Sequence, residues 1–256
     1  MRIFTLIIIL LLINNSYGKN LTIKLSTMDW YPYVGQSTRK NGIVQNIIES
    51  AFDVINYDME TNFMPWDNAL NETMIGNYDA VFPVSLTEER EKYFYYSEPV
   101  YYNQLVFMAS IHSKITYNKY DNLNKTYDEL KKYRFGVVRG YANEKNFDQR
   151  TDLTKIISNN DTSNLLKLKN KTVDIIYIDK FVASFLIFKM NDQFKDQFKF
   201  LEPDLAKEAL YIAFSKKAKD ALIKRDSFNA GLKKIKESGL YKEILRNFQN
   251  NFTQTK

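Results

Sequence analysis

Arg90 and Asp179 are the residues of this chain best suited to hold a small charged molecule. Arg90 ends the stretch VFPVSLTEER, in which an apolar run stops at Ser85 and a Thr-Glu-Glu-Arg tetrad follows. Asp179 closes a second apolar run, in NKTVDIIYID. A guanidinium is a planar fork that takes a carboxylate through two parallel hydrogen bonds. A carboxylate accepts from an ammonium. The two poles of an α-amino acid are a few ångströms apart, so a cation and a carboxylate facing each other would suit a zwitterion. Ser85 and Thr87 add hydroxyls beside Arg90. A helix expected to start after Thr87 would add free N–H groups and a favourable dipole for the same anion. Gly140, Tyr141 and Ala142 follow a further apolar run and form a glycine turn entering a helix. Trp30 and Trp66, the only tryptophans, follow strand or loop ends and not periodic core positions. They would wall a pocket and stack on an apolar or cationic part of a ligand.

Each of these residues also has a plainer role. Arg90 would serve as a solvated helix residue and Asp179 as a helix N-cap. The tryptophans would serve in a core, and Gly140 in an ordinary turn. Their shared position at the ends of apolar runs is what groups them, because ligands of open α/β sheets bind outside the carboxyl ends of the strands.

The elements that must position them are read from periodicity. Leu21–Ser26 alternates as a strand and is broken at Asp29-Trp30-Tyr31-Pro32-Tyr33. Ile43, Ile47, Ile48, Ala51, Phe52 and Ile55 form one face of a helix. Pro65-Trp66-Asp67 starts another, stopped by Gly76-Asn77. Strands are expected at 79–82, 104–109, 134–138, 173–178 and 210–214. Helices are expected at the end of the polar stretch 116–132, from about Asn143, over Ser163–Lys167, over Phe181–Lys189, and along the tail from Ala218, punctuated by Gly239. The order is an α/β pattern. GNYDAVFPVS and NKTVDIIYID repeat one plan: a helix, a polar stop, an Asp, then an apolar strand. Two units built alike predict two similar lobes, connected by extended strands.

Composition narrows the classes. The 256 residues are 45% hydrophobic and 26% charged, which marks a globular chain long enough for a sizeable core. The net charge of +6 is interspersed along the chain, which argues against a dedicated nucleic-acid surface. There is no cysteine, so neither a disulfide nor a thiolate metal site, and the single histidine, His112, excludes a multi-histidine site. At the N-terminus, Met1-Arg2 precedes an apolar run of 11 residues, Ile3–Ile13, too short to span a bilayer comfortably. Ser16 and Gly18 then stand where a signal peptidase needs small residues, so residues 1–18 read as a secretory signal peptide. No Cys follows it for a lipid anchor, and the mature chain is expected to be soluble and periplasmic.

With these residues in view, the chain resembles the bacterial extracellular solute-binding proteins that serve polar amino-acid ABC transporters. The likeness rests on DAVFPVSLTEEREKYFYYSEP, Trp30-Tyr31-Pro32-Tyr33, Pro65-Trp66-Asp67, Gly136-Val137-Val138-Arg139-Gly140, Asp174–Asp179, and Leu240-Tyr241 with Ile244-Leu245. It implies an α/β, two-lobed periplasmic-binding-protein type II fold with the ligand cleft between the lobes. Residues 19–108 and 210–256 would form lobe 1 and residues 109–209 lobe 2, with crossings near Met108 and Leu210. It further implies that Arg90 meets the ligand carboxylate with Ser85 nearby, that Asp179 meets the ammonium, and that Trp30 and Trp66 pack on the ligand. Tyr141-Ala142 stand where relatives often carry hydroxyl residues, which leaves backbone N–H groups as the donors. Asn68 stands where many relatives carry Arg. The implied function is capture of an amino acid or similar small zwitterion by hinge closure and delivery to an ABC permease, by a monomer without cofactor, metal or catalysis. Two alternatives share the fold: a dehydratase acting on a prephenate-like acid, with Asp29, Asp67 and Asp179 as candidate acids, and a sensory module that presents its ligand to a receptor.

Overall fold

A computed structural model of the protein describes residues 21–36, 42–190, 194 and 196–253, the last three as backbone only. The expected signal peptide, residues 1–18, lies outside them. The first elements are β1 (Leu21–Thr27), α1 (Ile43–Asp53), β2 (Tyr57–Phe63), α2 (Trp66–Met74), β3 (Ala80–Val84) and β4 (Phe94–Tyr96). Then come β5 (Tyr101–Ser110), α3 (Leu123–Leu130), β6 (Arg134–Val138), α4 (Lys145–Gln149), β7 (Thr154–Ser158), α5 (Asp161–Lys169), β8 (Ile175–Asp179) and α6 (Lys180–Lys189). β9 (Phe198–Ser215) leads back to α7 (Ala221–Glu237) and α8 (Leu240–Thr253).

The strands run in the order β2-β1-β3-β9-β5-β8-β6-β7, with β4 alongside β9. β1 is parallel to β2 and β3, and β6 is parallel to β7 and β8. Between these two parallel sets lie β5 and β9, antiparallel to each other from Tyr101↔Leu210 to Ser110↔Phe198. Parallel strands need helical crossovers, which cover both faces of a sheet. The result is two lobes, each a half-sheet between helices, with β5 and β9 passing through both.

Each lobe has a core on either side of its half-sheet. In the first, Ile47 and Phe52 of α1 meet Ile23, Leu25 and Phe228 on one face, and Ala69 of α2 meets Val81, Val84 and Phe94 on the other. In the second, Tyr127 and Phe147 cover Phe107 and Phe135, while Leu165 and Ala183 cover Val106 and Ile176. Gly231 lets α7 lie directly on α1, since a Cβ there would stand 2.0 Å from the Ala51 carbonyl oxygen. Helix α6 straddles the lobes: Val182 packs into the first core and Ala183 into the second.

The two similar sequence units occupy corresponding places. β3 and β8 are each buried along their whole length and flank the β9–β5 pair on its two sides. A strand buried on both faces reads as an unbroken apolar run. Three local expectations are corrected. No α-helix follows Thr87; the chain makes a 3-10 turn, Arg90–Lys92, and β4 follows because Phe94–Tyr96 pairs with β9. β7, which lies between the expected helices at 143 and 163, is an edge strand with Ile157 exposed, so its sequence TKIIS carries little apolar signal. β9 begins at Phe198, well before Leu210, because its first half alternates weakly and includes Glu202, Asp204 and Lys207.

Candidate binding cleft

The carboxyl ends of β1, β3, β6 and β8 converge on one cavity between the lobes. Trp30, Trp66, Ser85, Arg90, Tyr141, Ala142 and Asp179 all line it. Its volume is ≈ 60 Å³, space for about four to six water-sized groups at about 10–15 Å³ each. Pro83, Leu105, Ile178 and Leu210 supply apolar wall between the charged groups.

Arg90 is held from both lobes. Its Nη1 donates to the Ser85 carbonyl at 3.0 Å and its Nη2 to the Gly140 carbonyl at 2.8 Å. The guanidinium carbon lies 5.9 Å from the centre of the Trp66 ring, within cation–π range. Thr87 Oγ1 accepts from the Arg90 backbone N–H at 3.2 Å and shapes the turn. Among the described residues Arg90 forms no ion pair within 4.0 Å. Burial pulls its pKa below the ordinary guanidinium value, although a guanidinium stays charged at any working pH. It is a partly desolvated, oriented cation at the cavity wall.

Gly140 is the meeting point of the lobes. Its carbonyl also accepts from Trp66 Nε1 at 3.0 Å. Its φ of +73° is a left-handed conformation that favours glycine, and a Cβ there would stand 2.2 Å from Asp67 Oδ1. The backbone N–H of Tyr141 closes the turn onto the Val138 carbonyl at 3.2 Å. The Tyr141 hydroxyl donates to Asp161 Oδ2 at 2.9 Å. Ala142 contributes wall, and Ser85 contributes its carbonyl to Arg90.

Asp179 is both cap and cavity residue, 4% exposed. As the N-cap of α6 its Oδ1 accepts from the N–H groups of Phe181 and Val182, each at 2.9 Å. Oδ2 accepts from the Gln104 N–H at 3.1 Å, and the Tyr33 hydroxyl reaches both oxygens at 3.0 Å. A carboxylate has about four lone-pair positions, and these donors fill them. Burial pushes its pKa up to about 7, with the four donors pulling the other way. Its charge faces the cavity, but it has little vacant accepting capacity.

A second carboxylate escaped the sequence reading. Asp161, at the start of α5, is 7% exposed and lines the same cavity. Trp30 Nε1 donates to its Oδ2 at 3.2 Å, alongside the Tyr141 hydroxyl. Burial raises its pKa to about 6. The only available signal was an Asp at a helix start behind the unrecognised strand β7. Tyr33 and Asn103 were missed as well. Trp30 stacks obliquely on Tyr33, with ring centres 4.7 Å apart. Other links between the lobes include Lys145 Nζ to Glu88 Oε1 at 2.5 Å at the rim. Among the described residues the cavity thus presents one guanidinium and two carboxylates across an apolar waist, which is chemistry for gripping a small charged molecule. Asp29 and Asp67, the other candidate acids, are absent from its lining. Among the described residues no group of three or more His, Cys, Asp or Glu is placed to hold a metal ion. His112 is exposed on a turn, away from the cleft.

The family described as bacterial extracellular solute-binding proteins, family 3, matches residues 23–251. Among solved structures, a histidine kinase sensor domain with similarity to periplasmic binding proteins superposes with a TM-score of 0.74 at 16% identity, covering 90% of this chain and 96% of that one. An arginine 3rd transport system periplasmic binding protein from Legionella pneumophila superposes at 0.73 and 17% identity, covering 90% and 100%. An ancestral arginine-binding protein bound to glutamine superposes at 0.72 and 19% identity, covering 89% and 97%. At these identities the likeness is one of fold.

Proposed function

We propose, from the premise that the chain belongs to the bacterial extracellular solute-binding proteins, family 3, that it captures an amino acid or similar small zwitterion and delivers it to a membrane-embedded ABC permease. The fold is the two-lobed periplasmic-binding-protein type II fold, and the single observation that carries the reading is Arg90. Its guanidinium is oriented by two carbonyls and a tryptophan face at the cavity wall, with no carboxylate of the described residues within 4.0 Å of it. A ligand carboxylate completes it, and the Asp161 and Asp179 charges balance the ligand's ammonium. Trp30 and Trp66 pack on the apolar part, with Ser85, Tyr141 and Ala142 around it and the Gly140 carbonyl holding Arg90 in place.

Closure follows from contacts that only the closed form makes. A ligand touching residues of both lobes stabilises that form by its differential contacts. Bending is assigned to β5 and β9, the two strands that pass through both lobes. The mature protein acts as a periplasmic monomer after removal of residues 1–18. In support, the family is described as extracellular, and no helix among the described residues is long and apolar enough to cross a membrane.

The test is a thermal-shift screen over the common amino acids and related acids. A ligand at about 100 times its Kd adds roughly 2.7 kcal/mol to stability. If no zwitterion raises the melting temperature, the reading fails. Release of water from a prephenate-like acid would favour catalysis instead. A sensory role has one specific support, the fold shared with a histidine kinase sensor domain. Capture of a receptor ectodomain, and not a permease, by the liganded protein would select it.

A further inference from the structure

We propose that Asn103 is a ligand-contacting residue whose side-chain carbonyl accepts a hydrogen bond from the ammonium of the bound amino acid. This rests on the amino-acid reading above. Asn103 lies on β5, is 4% exposed and lines the cavity. Its Oδ1 is buried and has no hydrogen-bond partner among the described residues. Buried polar atoms nearly always find a partner, and each exception calls for one. A half-turn about χ2 exchanges the oxygen and nitrogen of an asparagine amide in place, so the acceptor can be presented to the cavity.

The ammonium itself needs such an acceptor. It has three N–H groups to place. Asp179 supplies charge, but its lone pairs are already taken by Tyr33, Gln104, Phe181 and Val182. Asp161 receives Trp30 and Tyr141 on one oxygen, Oδ2. Asn103 stands next to Gln104, whose backbone N–H holds Asp179, and it shares the cavity face of β5 with Leu105 because alternate strand residues face alike. The ammonium therefore meets an unfilled neutral acceptor beside a filled carboxylate: Asp179 attracts it and Asn103 fixes its direction.

The experiment compares the wild type with Asn103→Leu, which keeps the γ-branched outline with somewhat more bulk and removes the acceptor. The probes are the amino acid giving the largest thermal shift with the wild type and its des-amino analogue. Expected are a ligand-free Tm at or above that of the wild type, a Kd weakened about tenfold to a hundredfold, and a reduced preference for the amino acid over its des-amino analogue. A Kd within about twofold of the wild type would overturn the proposal. So would a lower ligand-free Tm with an unchanged preference, which would mean that Asn103 holds only a structural water. Should Asn103→Leu not fold, Asn103→Ala is read by the same preference ratio. A wild type that binds no amino acid overturns the functional reading first, and this role with it.

Discussion

The Tyr33 hydroxyl lies 3.0 Å from each oxygen of Asp179. Tyr33 follows β1 in the first lobe and Asp179 ends β8 in the second, and both are buried. The lobes are therefore joined at the cleft floor by a hydrogen bond from a phenol to a buried carboxylate. Burial, with the charge of Asp179 behind it, raises the Tyr33 pKa well above its ordinary value, so the phenol stays protonated and remains the donor.

Tyr33→Phe tests that bond. It keeps the ring and its packing against Trp30 while leaving a buried carboxylate one donor short. A loss of about 1–3 kcal/mol is expected in urea unfolding at pH 8, where Asp179 is ionised. The Asp179 pKa should rise further above about 7, because the lost bond favours the charged form. A loss under about 0.5 kcal/mol with an unmoved pKa would show that the bond is not formed in solution.

Arg90→Ala should weaken ligand binding by about 2–5 kcal/mol, read by calorimetry, since it leaves a desolvated ligand carboxylate unpaired. The circular dichroism spectrum should not change, because Arg90 lies on a turn outside the cores. Arg90→Lys should recover little, as an ammonium lacks the fork that spans Ser85 and Gly140. Full affinity in either variant removes Arg90 from the site.

Asp179→Ala should abolish binding and also destabilise the fold. The substitution removes the N-cap of α6, worth about 1–2 kcal/mol, along with the Tyr33 and Gln104 contacts. An unchanged melting temperature would contradict the cap; unchanged affinity would contradict the charge.

Asp161→Asn should alter the pH dependence of stability in a defined direction. An unfolded Asp titrates near about 3.9, whereas burial raises Asp161 to about 6. Between those values the folded protein binds more protons than the unfolded chain. Asp161 therefore lowers stability as pH rises through that window, and its effect is level above about 6. The stability of the variant relative to the wild type should rise from pH 4 to 6 and then stay constant. A difference independent of pH would show that Asp161 is not desolvated.

Gly140→Ala should weaken closure. Alanine would be strained in the left-handed backbone that Gly140 adopts, and its Cβ would collide with Asp67 at the point where Trp66 and Arg90 reach across the cleft. Small-angle scattering of the liganded variant should show a larger radius of gyration than that of the liganded wild type. Equal radii and equal affinities would remove Gly140 from the closing contact.

Much of this site was legible in the chain itself. The β-strands buried on both faces, β3 and β8, stood out as apolar runs, and Ser85 just past β3 and Asp179 at the end of β8 followed from their limits. Asp161 was not legible, because the strand that delivers it is an edge strand with a half-polar sequence. Nor was Asn103, which looks like any polar residue in a strand until its missing partner is seen.

By itself the sequence determined the alternation of strands and helices, the two lobes of like construction, and a cation and an anion at strand ends, because burial leaves a periodic trace in the chain. The tertiary structure decided which strand ends face one another. It brought Arg90 and Trp66 onto one carbonyl 50 and more residues away and filled the lone pairs of Asp179 from four separate positions. The Phe181 and Val182 bonds are the local N-cap, but the Gln104 bond follows from the register of β5 against β8, and the Tyr33, Arg90 and Trp66 bonds span 50 or more residues, long-range relations that no local spacing encodes.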